Sequence, residues 1–488
     1  MAQNVDDSVP PRGTNAVIGT ARGWHALAGI LLVALLIRSF HALGAWLATR
    51  GVEVFYLDDS ASYVSVAREF LSAGAFGRGG EPEIFRTPGY PLLLIPGLLL
   101  GRVEITTIAL QIALAVATTF GVAVLSLRVF ADGRIALAAA ALYAFEPLSI
   151  SFSAILMSET LFTAVVVWGL VSVIDWVRRG VRWRLVAGVA LLAVAAYVRP
   201  AGYYLPFALV LLLGLRSVVR REWRRLGTLA LAALAAVAVV LPWQLRNRTL
   251  GYSGFSAVAA VNMYFYNAAA VRAVRADTGF LDMQAGMGYW DQESYLRLHP
   301  EQRAWRPGER FEFMGRDGMR TVRENLPLFA RQCLMGAARV ALNPGVGVLL
   351  GSYGLVDTGQ AAYFPGIRGI WDRIRMRTNA LARVVSVAFG LALLALYGLT
   401  ACCLLTRRWR SDPAVWLLVA SAAYFVLIAG GPVGSSRFRH PAMPLFCVLA
   451  AGGLYSAARA IWIRRRGDRP GGAVVVGSAP DAAISPIA

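Results

Sequence analysis

The sequence predicts an all-α polytopic membrane protein, built as a bundle of about ten or more transmembrane helices. The chain of 488 residues is 57% hydrophobic and 16% charged, whereas a soluble protein of this length carries roughly a quarter charged residues. Its apolar residues come in long runs, and a spanning helix needs about 20 consecutive apolar residues. The arginines cluster between these runs, as expected for cytoplasmic loops.

Ten apolar runs are predicted to span the membrane, and the basic loops set their orientation. With the arginine clusters at 178–184, 216–225, 407–410 and 464–466 in the cytoplasm, the spans alternate without conflict and both termini lie inside. An eleventh segment, 88–101, is short and proline-rich, so it is predicted to be re-entrant or to lie on the outer surface. The predicted spans are 24–48, 103–129, 133–148, 159–177, 185–199, 203–217, 226–244, 384–406, 413–431 and 440–463.

This threading divides the chain into five parts. In order, they are a cytoplasmic tail at 1–23, a transmembrane core at 24–244 that includes a first outer loop at 49–102, a large outer region at 245–383, C-terminal transmembrane helices at 384–463, and a disordered cytoplasmic tail at 464–488.

The composition also argues against two other kinds of site. The net charge is +20 and all 48 basic residues are arginine, but their position between apolar runs makes nucleic-acid binding a poor interpretation. The four cysteines show neither the spacing of metal ligands nor a disulfide framework.

Candidate functional residues gather at the outer ends of the predicted spans. Asp58 and Asp59 follow the first span and precede an amphipathic helix. The apolar residues of that helix recur at helical spacing from Tyr63 to Leu71, and Gly74 ends it. Asp59 either caps this helix or carries chemistry, and the local sequence favours neither alternative.

Further acids and arginines are predicted on the same face. Arg86 enters apolar surroundings and needs an anionic partner, which is either a substrate or a lipid headgroup. Glu159 begins a span, where a carboxylate either complements the helix dipole or serves a site. Arg199 and Arg437 lie at span ends, where arginine side chains commonly extend toward the aqueous interface. A carboxylate beside several arginines suits an anionic membrane-embedded substrate and an acceptor that must lose a proton.

Six short motifs follow one another along the chain. They are Asp59-Ser60-Ala61-Ser62-Tyr63, Arg86-Thr87-Pro88-Gly89-Tyr90-Pro91, Met157-Ser158-Glu159-Thr160-Leu161-Phe162, Arg199-Pro200, Pro242-Trp243 with Arg246-Asn247, and Arg437-Phe438-Arg439-His440-Pro441. This ordered set, spread over about residues 24 to 463, resembles the bacterial GT-C glycosyltransferases, close to the protein O-mannosyltransferases and the lipid A aminoarabinose transferases.

The resemblance implies a GT-C-like bundle with juxtamembrane helices on its outer face. It makes residues 24–244 the catalytic core and places the active site in the first outer loop, with an aspartate as the base. The register with Ser60 and Tyr63 favours Asp59 as that base, with Asp58 second.

The resemblance also implies a polyprenyl-phosphate-sugar donor. Some relatives place a lysine near the donor phosphate, which this sequence lacks, and Arg86 is predicted to take that role. Arg199, Arg437 and Tyr63 are predicted to join it at the phosphate, while Glu159 is predicted to orient the donor or the acceptor. The relatives differ in metal dependence and no ligand cluster is visible, so the use of a divalent metal stays open.

The predicted function is therefore that of an inverting membrane glycosyltransferase. It would move a sugar from a polyprenyl-phosphate carrier to a lipid, glycan or protein acceptor at the outer (periplasmic) face of a bacterial inner membrane. The alternatives are a transporter or lipid flippase for an anionic substrate, and a scaffold without catalytic activity.

Overall fold

The computed structural model describes residues 20–356 and 380–467, and most of these residues are helical. Their one sheet is a two-stranded hairpin, in which β1 (Gly77–Arg78) pairs antiparallel with β2 (Glu81–Pro82). The helices of the first half are α1 (Ala21–Thr49), α2 (Ser60–Ala73), α3 (Gly89–Leu99), α4 (Val103–Phe130), α5 (Gly133–Ala144), α6 (Pro147–Ser153), α7 (Glu159–Arg179), α8 (Arg182–Val198), α9 (Leu205–Val219) and α10 (Trp223–Thr249).

The second half contains an outer group of helices and three C-terminal helices. The outer group is α11 (Val258–Val261), a π-helix (Asn262–Ala268), α12 (Ala269–Arg275), α13 (Phe280–Gly286), α14 (Gln292–Leu298), α15 (Pro307–Arg323), α16 (Leu326–Leu342) and α17 (Gly347–Gly351). The C-terminal helices are α18 (Ala380–Leu405), α19 (Pro413–Ile428) and α20 (Met443–Gly467). Short 3₁₀ helices cover Glu53–Phe55, Pro200–Gly202, Pro300–Ala304 and Ser436–Ala442.

The predicted fold class is confirmed, because nine of the ten predicted spans each fall on one helix and the tenth, 133–148, falls on the bent pair α5 and α6. Seven helices in the described part of the chain are long and apolar enough to cross a membrane, or up to eight if α5 and α6, bent by 56°, count as one span. The other two predicted spans are α8, with 17 residues, and α19, with 16 residues. The segment 88–101, which was not counted as a span, forms the 11-residue helix α3.

The predicted span at 133–148 differs from the structure because it contains the bend between α5 and α6. Arg38, fully buried on α1, donates to the carbonyl of Ala144 at 3.2 Å and to Ser149 Oγ at 2.7 Å. Glu146 caps α6, since its carboxylate accepts from the backbone N–H groups of Leu148 and Ser149. These bonds satisfy polar backbone groups that the bend would otherwise leave unpaired. Arg38 and Glu146 therefore both form hydrogen bonds that stabilise the bend.

The helices of the core pack closely around α7, which contacts both α4 and α8. A Cβ atom on Gly188 of α8 would lie 2.8 Å from the carbonyl oxygen of Gly169 on α7, so only glycine allows the two helices to approach this closely. One apolar core runs from α1 through the C-terminal helices. It gives the ends of these helices fixed positions relative to one another.

The outer region has an apolar cluster of its own, which joins the π-helix to α12–α15. Tyr264, Phe265, Tyr295 and Met314 are buried in it. Residues 357–379 of the predicted outer region, most of the N-terminal tail and residues 468–488 of the predicted disordered tail lie outside the described residues.

Candidate active site

Asp59 lies directly before α2, in the segment that follows α1, and its carboxylate does not cap α2. Instead, each oxygen pairs with a different arginine. The distance from Oδ1 to Arg86 Nη2 is 2.6 Å, and the distance from Oδ2 to Arg437 Nη2 is also 2.6 Å. Of the two alternatives that the sequence left open, capping is therefore absent and Asp59 joins a cluster of charges.

Arg86 is held in place by three groups of the first outer loop. Its Nε donates to Ser62 Oγ at 2.9 Å, and its guanidinium lies 4.6 Å from the centre of the Tyr63 ring. The buried carboxylate of Glu83 accepts from the backbone N–H of Arg86 at 2.9 Å and from that of Phe85 at 2.6 Å. Because its side chain is only 11% exposed, Arg86 is committed to this cluster rather than to the lipid headgroups.

Glu159 is the first residue of α7, and its side chain is fully buried. It forms ion pairs with Arg199, which follows α8, and with Arg437. A buried carboxylate requires such partners, because removing its charge from water is costly. The interaction of Glu159 therefore goes well beyond complementing the dipole of α7.

Arg437 joins the two carboxylates, since it pairs with both Asp59 and Glu159. The 3₁₀ helix that carries it is anchored by the next residues along the chain. Arg439 donates to the carbonyls of Val340, Ala341 and Asn343 at 2.7–2.8 Å. His440 shares a hydrogen bond with Thr163 on α7 at 2.7 Å. These contacts fix the position of Arg437 relative to Glu159.

The electrostatics of the cluster favour an ionised Asp59. Burial alone would raise the pKa of Asp59, but Arg437 and Arg86 outweigh it and hold this pKa well below its usual range. Burial would likewise lower the pKa of Arg86, but Tyr63 and Asp59 raise it instead. Three guanidinium groups face two carboxylates, so the cluster carries one positive charge in excess. It is suited to bind one anion.

The structure brings together six of the seven predicted site residues, namely Asp59, Tyr63, Arg86, Glu159, Arg199 and Arg437. Tyr63 reaches the cluster through its hydroxyl, which lies 3.3 Å from Ser158 Oγ. Asp58 is exposed to solvent beside the cluster. The catalytic and binding roles of all seven stay predictions.

A further segment, residues 256–267 of the outer region, contacts the two loops that carry Arg86 and Arg437. At one end, Ser256 Oγ donates to the carbonyl of Phe85 at 2.7 Å, next to Arg86. At the other end, Asn267 lies against Gly431, where a Cβ atom would be 3.3 Å from Asn267 Oδ1. The backbone between them includes the π-helix, a distortion often found at functional sites.

Tyr266 on this π-helix lies within electrostatic range of the predicted base. Burial and a hydrogen bond with Tyr289 raise the pKa of Tyr266, and the carboxylates of Asp59 and Asp58 raise it further. Sequence reasoning missed Tyr266, because a π-helix has no simple periodic pattern. It also assigned no role to Glu83, Ser62 or Ser158, which are ordinary polar residues until the fold places them beside the arginines.

Two other motif positions serve the structure of the outer region. Arg246 donates to the backbone carbonyls of Glu83 and Phe76, and Asn247 donates to those of Gly254 and Phe255. They tie the hairpin and the outer segment to the end of α10. Among the described residues, no group of three or more His, Cys, Asp or Glu side chains is placed to hold a metal ion.

We expect Glu83→Ala to weaken binding of the predicted polyprenyl-phosphate donor about tenfold while changing the turnover number less. Glu83 is a positioning residue, since it holds the backbone that carries Arg86, and losing a charge-assisted hydrogen bond costs about 1.5–3 kcal/mol. Michaelis constants for the donor, measured separately from turnover, test this expectation. Glu83→Gln should restore most of the affinity because its amide oxygen still accepts both N–H groups. Glu81→Ala, on the exposed strand of the same hairpin, is the control, and an equal effect there would contradict this role.

Residues 86–244 match the family described as dolichyl-phosphate-mannose-protein mannosyltransferase. The archaeal oligosaccharyltransferase AglB from Archaeoglobus fulgidus, solved with an inhibitory peptide and a dolichol-phosphate, has a similar fold with 14% identity and a TM-score of 0.50. That alignment covers 93% of this chain and 53% of AglB, so the chain spans about half the length of that enzyme.

A second similar structure is ArnT from Cupriavidus metallidurans bound to undecaprenyl phosphate. It shows 17% identity and a TM-score of 0.37, over 91% of this chain and 79% of that chain. No curated protein sequence matches the chain. The matched segment, together with the all-helical membrane architecture, shows that the chain resembles the GT-C superfamily of glycosyltransferases.

Proposed function

We propose that this protein transfers a sugar from a polyprenyl-phosphate carrier to a hydroxyl group of an envelope acceptor. The observation that carries the proposal is the cluster of three arginines and two carboxylates at one end of the helix bundle. Its excess positive charge suits a phosphate, and Asp59 supplies a carboxylate in the first outer loop. The matched mannosyltransferase family and the dolichol-phosphate in the AglB structure agree with a carrier of this chemical class.

In the proposed reaction, the acceptor oxygen attacks the anomeric carbon of the sugar. Its proton passes to Asp59 as the new carbon–oxygen bond forms. The bond between the anomeric carbon and the phosphate oxygen breaks, and its electron pair leaves with the polyprenyl phosphate. A single displacement of this kind inverts the anomeric centre.

The arginines are proposed to stabilise the leaving phosphate. Arg86 and Arg437 present planar forks that match phosphate oxygens, and such charge-assisted hydrogen bonds strengthen as negative charge develops. Glu159, which also pairs with Arg199, holds Arg437 in place through its ion pair. The outer region at 245–383, including Tyr266, is proposed to shape the acceptor side of the site.

The transfer itself is tested with membranes that contain the overproduced protein and a radiolabelled polyprenyl-phosphate-sugar pool. We expect label to move into an envelope fraction, and only when the protein is present. Uptake of carrier or sugar into proteoliposomes without any transfer would instead support a transporter. The structure offers that alternative little support, since Arg38, a charge well inside a span, is bonded to the bend between α5 and α6.

The active site is proposed to face the periplasm. Glu159 begins α7 at the site, and Asp175 near the other end of α7 is paired with Arg128 at 3.1 Å and Arg179 at 3.3 Å. The 16 residues from Glu159 to Asp175 rise about 24 Å along the helix, which supports the proposal that the two charge clusters lie on opposite membrane faces. Arginine-rich ends normally remain in the cytoplasm.

Reporter fusions should therefore show opposite orientations for these two ends. An alkaline phosphatase fused after Trp290 in the outer region should be active, because the enzyme folds only after export, whereas a fusion after Arg221 should be inactive. A green fluorescent protein at the same two positions should give the reverse pattern. Activity of the phosphatase at Arg221 alone would invert the proposed topology.

A further inference from the structure

Both oxygens of Asp59 are occupied by the two arginines that would have to bind the donor phosphate. Arg86 and Arg437 each donate to one oxygen at 2.6 Å. Asp59 therefore sits where an incoming anion would form its hydrogen bonds. A carboxylate and a phosphate offer a guanidinium group the same kind of acceptor, so the two compete directly for these donors.

The same contacts make Asp59 a weak base while the donor is absent. The two arginines stabilise its ionised form, and the pKa of Asp59 is accordingly held low. An efficient general base needs a higher proton affinity, closer to the working pH. Asp59 therefore has to lose its ion pair with at least one of these arginines before it accepts a proton.

Only one carboxylate of the cluster is free to move aside. Glu159 is fully buried and is held by both Arg199 and Arg437. The side chain of Asp59 keeps 28% of its surface exposed and borders the loop that carries Arg86. Displacing Asp59 therefore leaves Arg437 anchored to Glu159, so the phosphate site stays assembled.

We propose that Asp59 is an internal stand-in for the donor phosphate, which displaces it from Arg86 and Arg437 and thereby frees it to accept the proton of the acceptor. This inference rests on the proposed function and adds an order of events, in which the base forms only in the donor complex. A phosphodiester brings one negative charge and neutralises the excess charge of the cluster. After transfer, the proton on Asp59 balances the second negative charge of the released phosphate monoester.

Undecaprenyl phosphate, without a sugar or an acceptor, tests this competition by equilibrium binding to the purified full-length protein in nanodiscs. We expect Asp59→Asn to bind it about tenfold more tightly than the wild type. The substitution removes the competing charge from Arg86 and Arg437, and the binding free energy gained corresponds to about one charge-assisted hydrogen bond. Glu53→Gln removes an exposed carboxylate of the same loop that has no role in the proposed site, and it should change the affinity less than twofold. Arg86→Gln should bind at least tenfold more weakly.

Unchanged or weaker binding by a folded Asp59→Asn variant would overturn the inference, as would equal tightening by Glu53→Gln. If wild-type protein fails to bind undecaprenyl phosphate at all, the proposed function fails as well. Neither readout requires transfer, so the two failures are distinguishable.

A second measurement uses the wild-type protein, in case the variant does not fold. A carbodiimide modifies protonated carboxyl groups, so labelling of Asp59 at pH 6, measured by mass spectrometry of its peptide, reports its proton affinity. We expect bound inorganic phosphate or undecaprenyl phosphate to increase this labelling severalfold while labelling of the exposed Glu53 stays constant. No increase at saturating phosphate would overturn the inference.

Discussion

Asp59→Asn is expected to abolish sugar transfer, lowering its rate by about 100- to 10,000-fold, the range that one general base contributes. The amide keeps the size of the side chain and an oxygen that still accepts a hydrogen bond from Arg86 or Arg437. It does not accept the proton of an acceptor hydroxyl. Initial rates with a radiolabelled polyprenyl-phosphate-sugar donor, normalised to the amount of folded protein, measure the effect.

Asp58→Asn provides the comparison, because Asp58 was the second choice for the base and lies exposed beside the cluster. If Asp59→Asn retained more than half of the wild-type rate while Asp58→Asn lost it, the base would be Asp58. If neither variant lost activity, the first outer loop would not supply the base. Since Asp59→Asn is expected to bind the carrier more tightly, its loss of rate is not explained by a failure to bind.

Arg437→Gln is the second substitution with a large expected effect, on both transfer and stability. Arg437 is the common partner of Asp59 and Glu159, and it is proposed to stabilise the leaving phosphate. Removing one such donor costs about 100- to 1,000-fold in rate. Leaving Glu159 without one of its two arginines should also destabilise the protein by about 3 kcal/mol, the lower end for a broken buried ion pair.

Transfer rates and thermal unfolding in detergent test both parts of this expectation. Arg437→Lys keeps the charge without the planar fork, so it should recover most of the stability and only a fraction of the rate. Arg303→Gln breaks an exposed ion pair with Glu293 in the outer region, and exposed pairs contribute about 0–1 kcal/mol. The role assigned to Arg437 would be wrong if Arg437→Gln behaved like this surface variant.

Much of the architecture follows from patterns within short stretches of sequence. The apolar runs predict the long helices because spanning segments must satisfy their backbone bonds internally. The spacing from Tyr63 to Leu71 predicts the amphipathic helix, which ends where Gly74 adopts a positive φ of 66°. Those forces act between residues close in the chain, so the local sequence is sufficient. The apolar run at 133–148 does not predict the bend after Ala144, where Arg38 from another helix donates to the backbone.

The identity of the site residues was partly predictable, while their partners were not. Asp59 and Glu159 each had an ordinary local explanation, as a cap and as a dipole-complementing residue. The structure decides against capping by pairing Asp59 with arginines that lie 27 and 378 residues away in the chain. Glu83 carried no signal at all, because a side chain that binds backbone N–H groups has no distinctive sequence pattern.

Sequence alone thus predicts the membrane helices, the face on which the charges gather and the residues that resemble a glycosyltransferase site. Only the tertiary structure decides that Arg437 joins Asp59 to Glu159 and that Asp59 occupies the arginines proposed for the phosphate. The physical reason is the distance along the chain over which each interaction acts. Helix formation and membrane insertion depend on neighbouring residues, whereas an ion pair between distant residues exists only once close packing has fixed the positions of the helix ends.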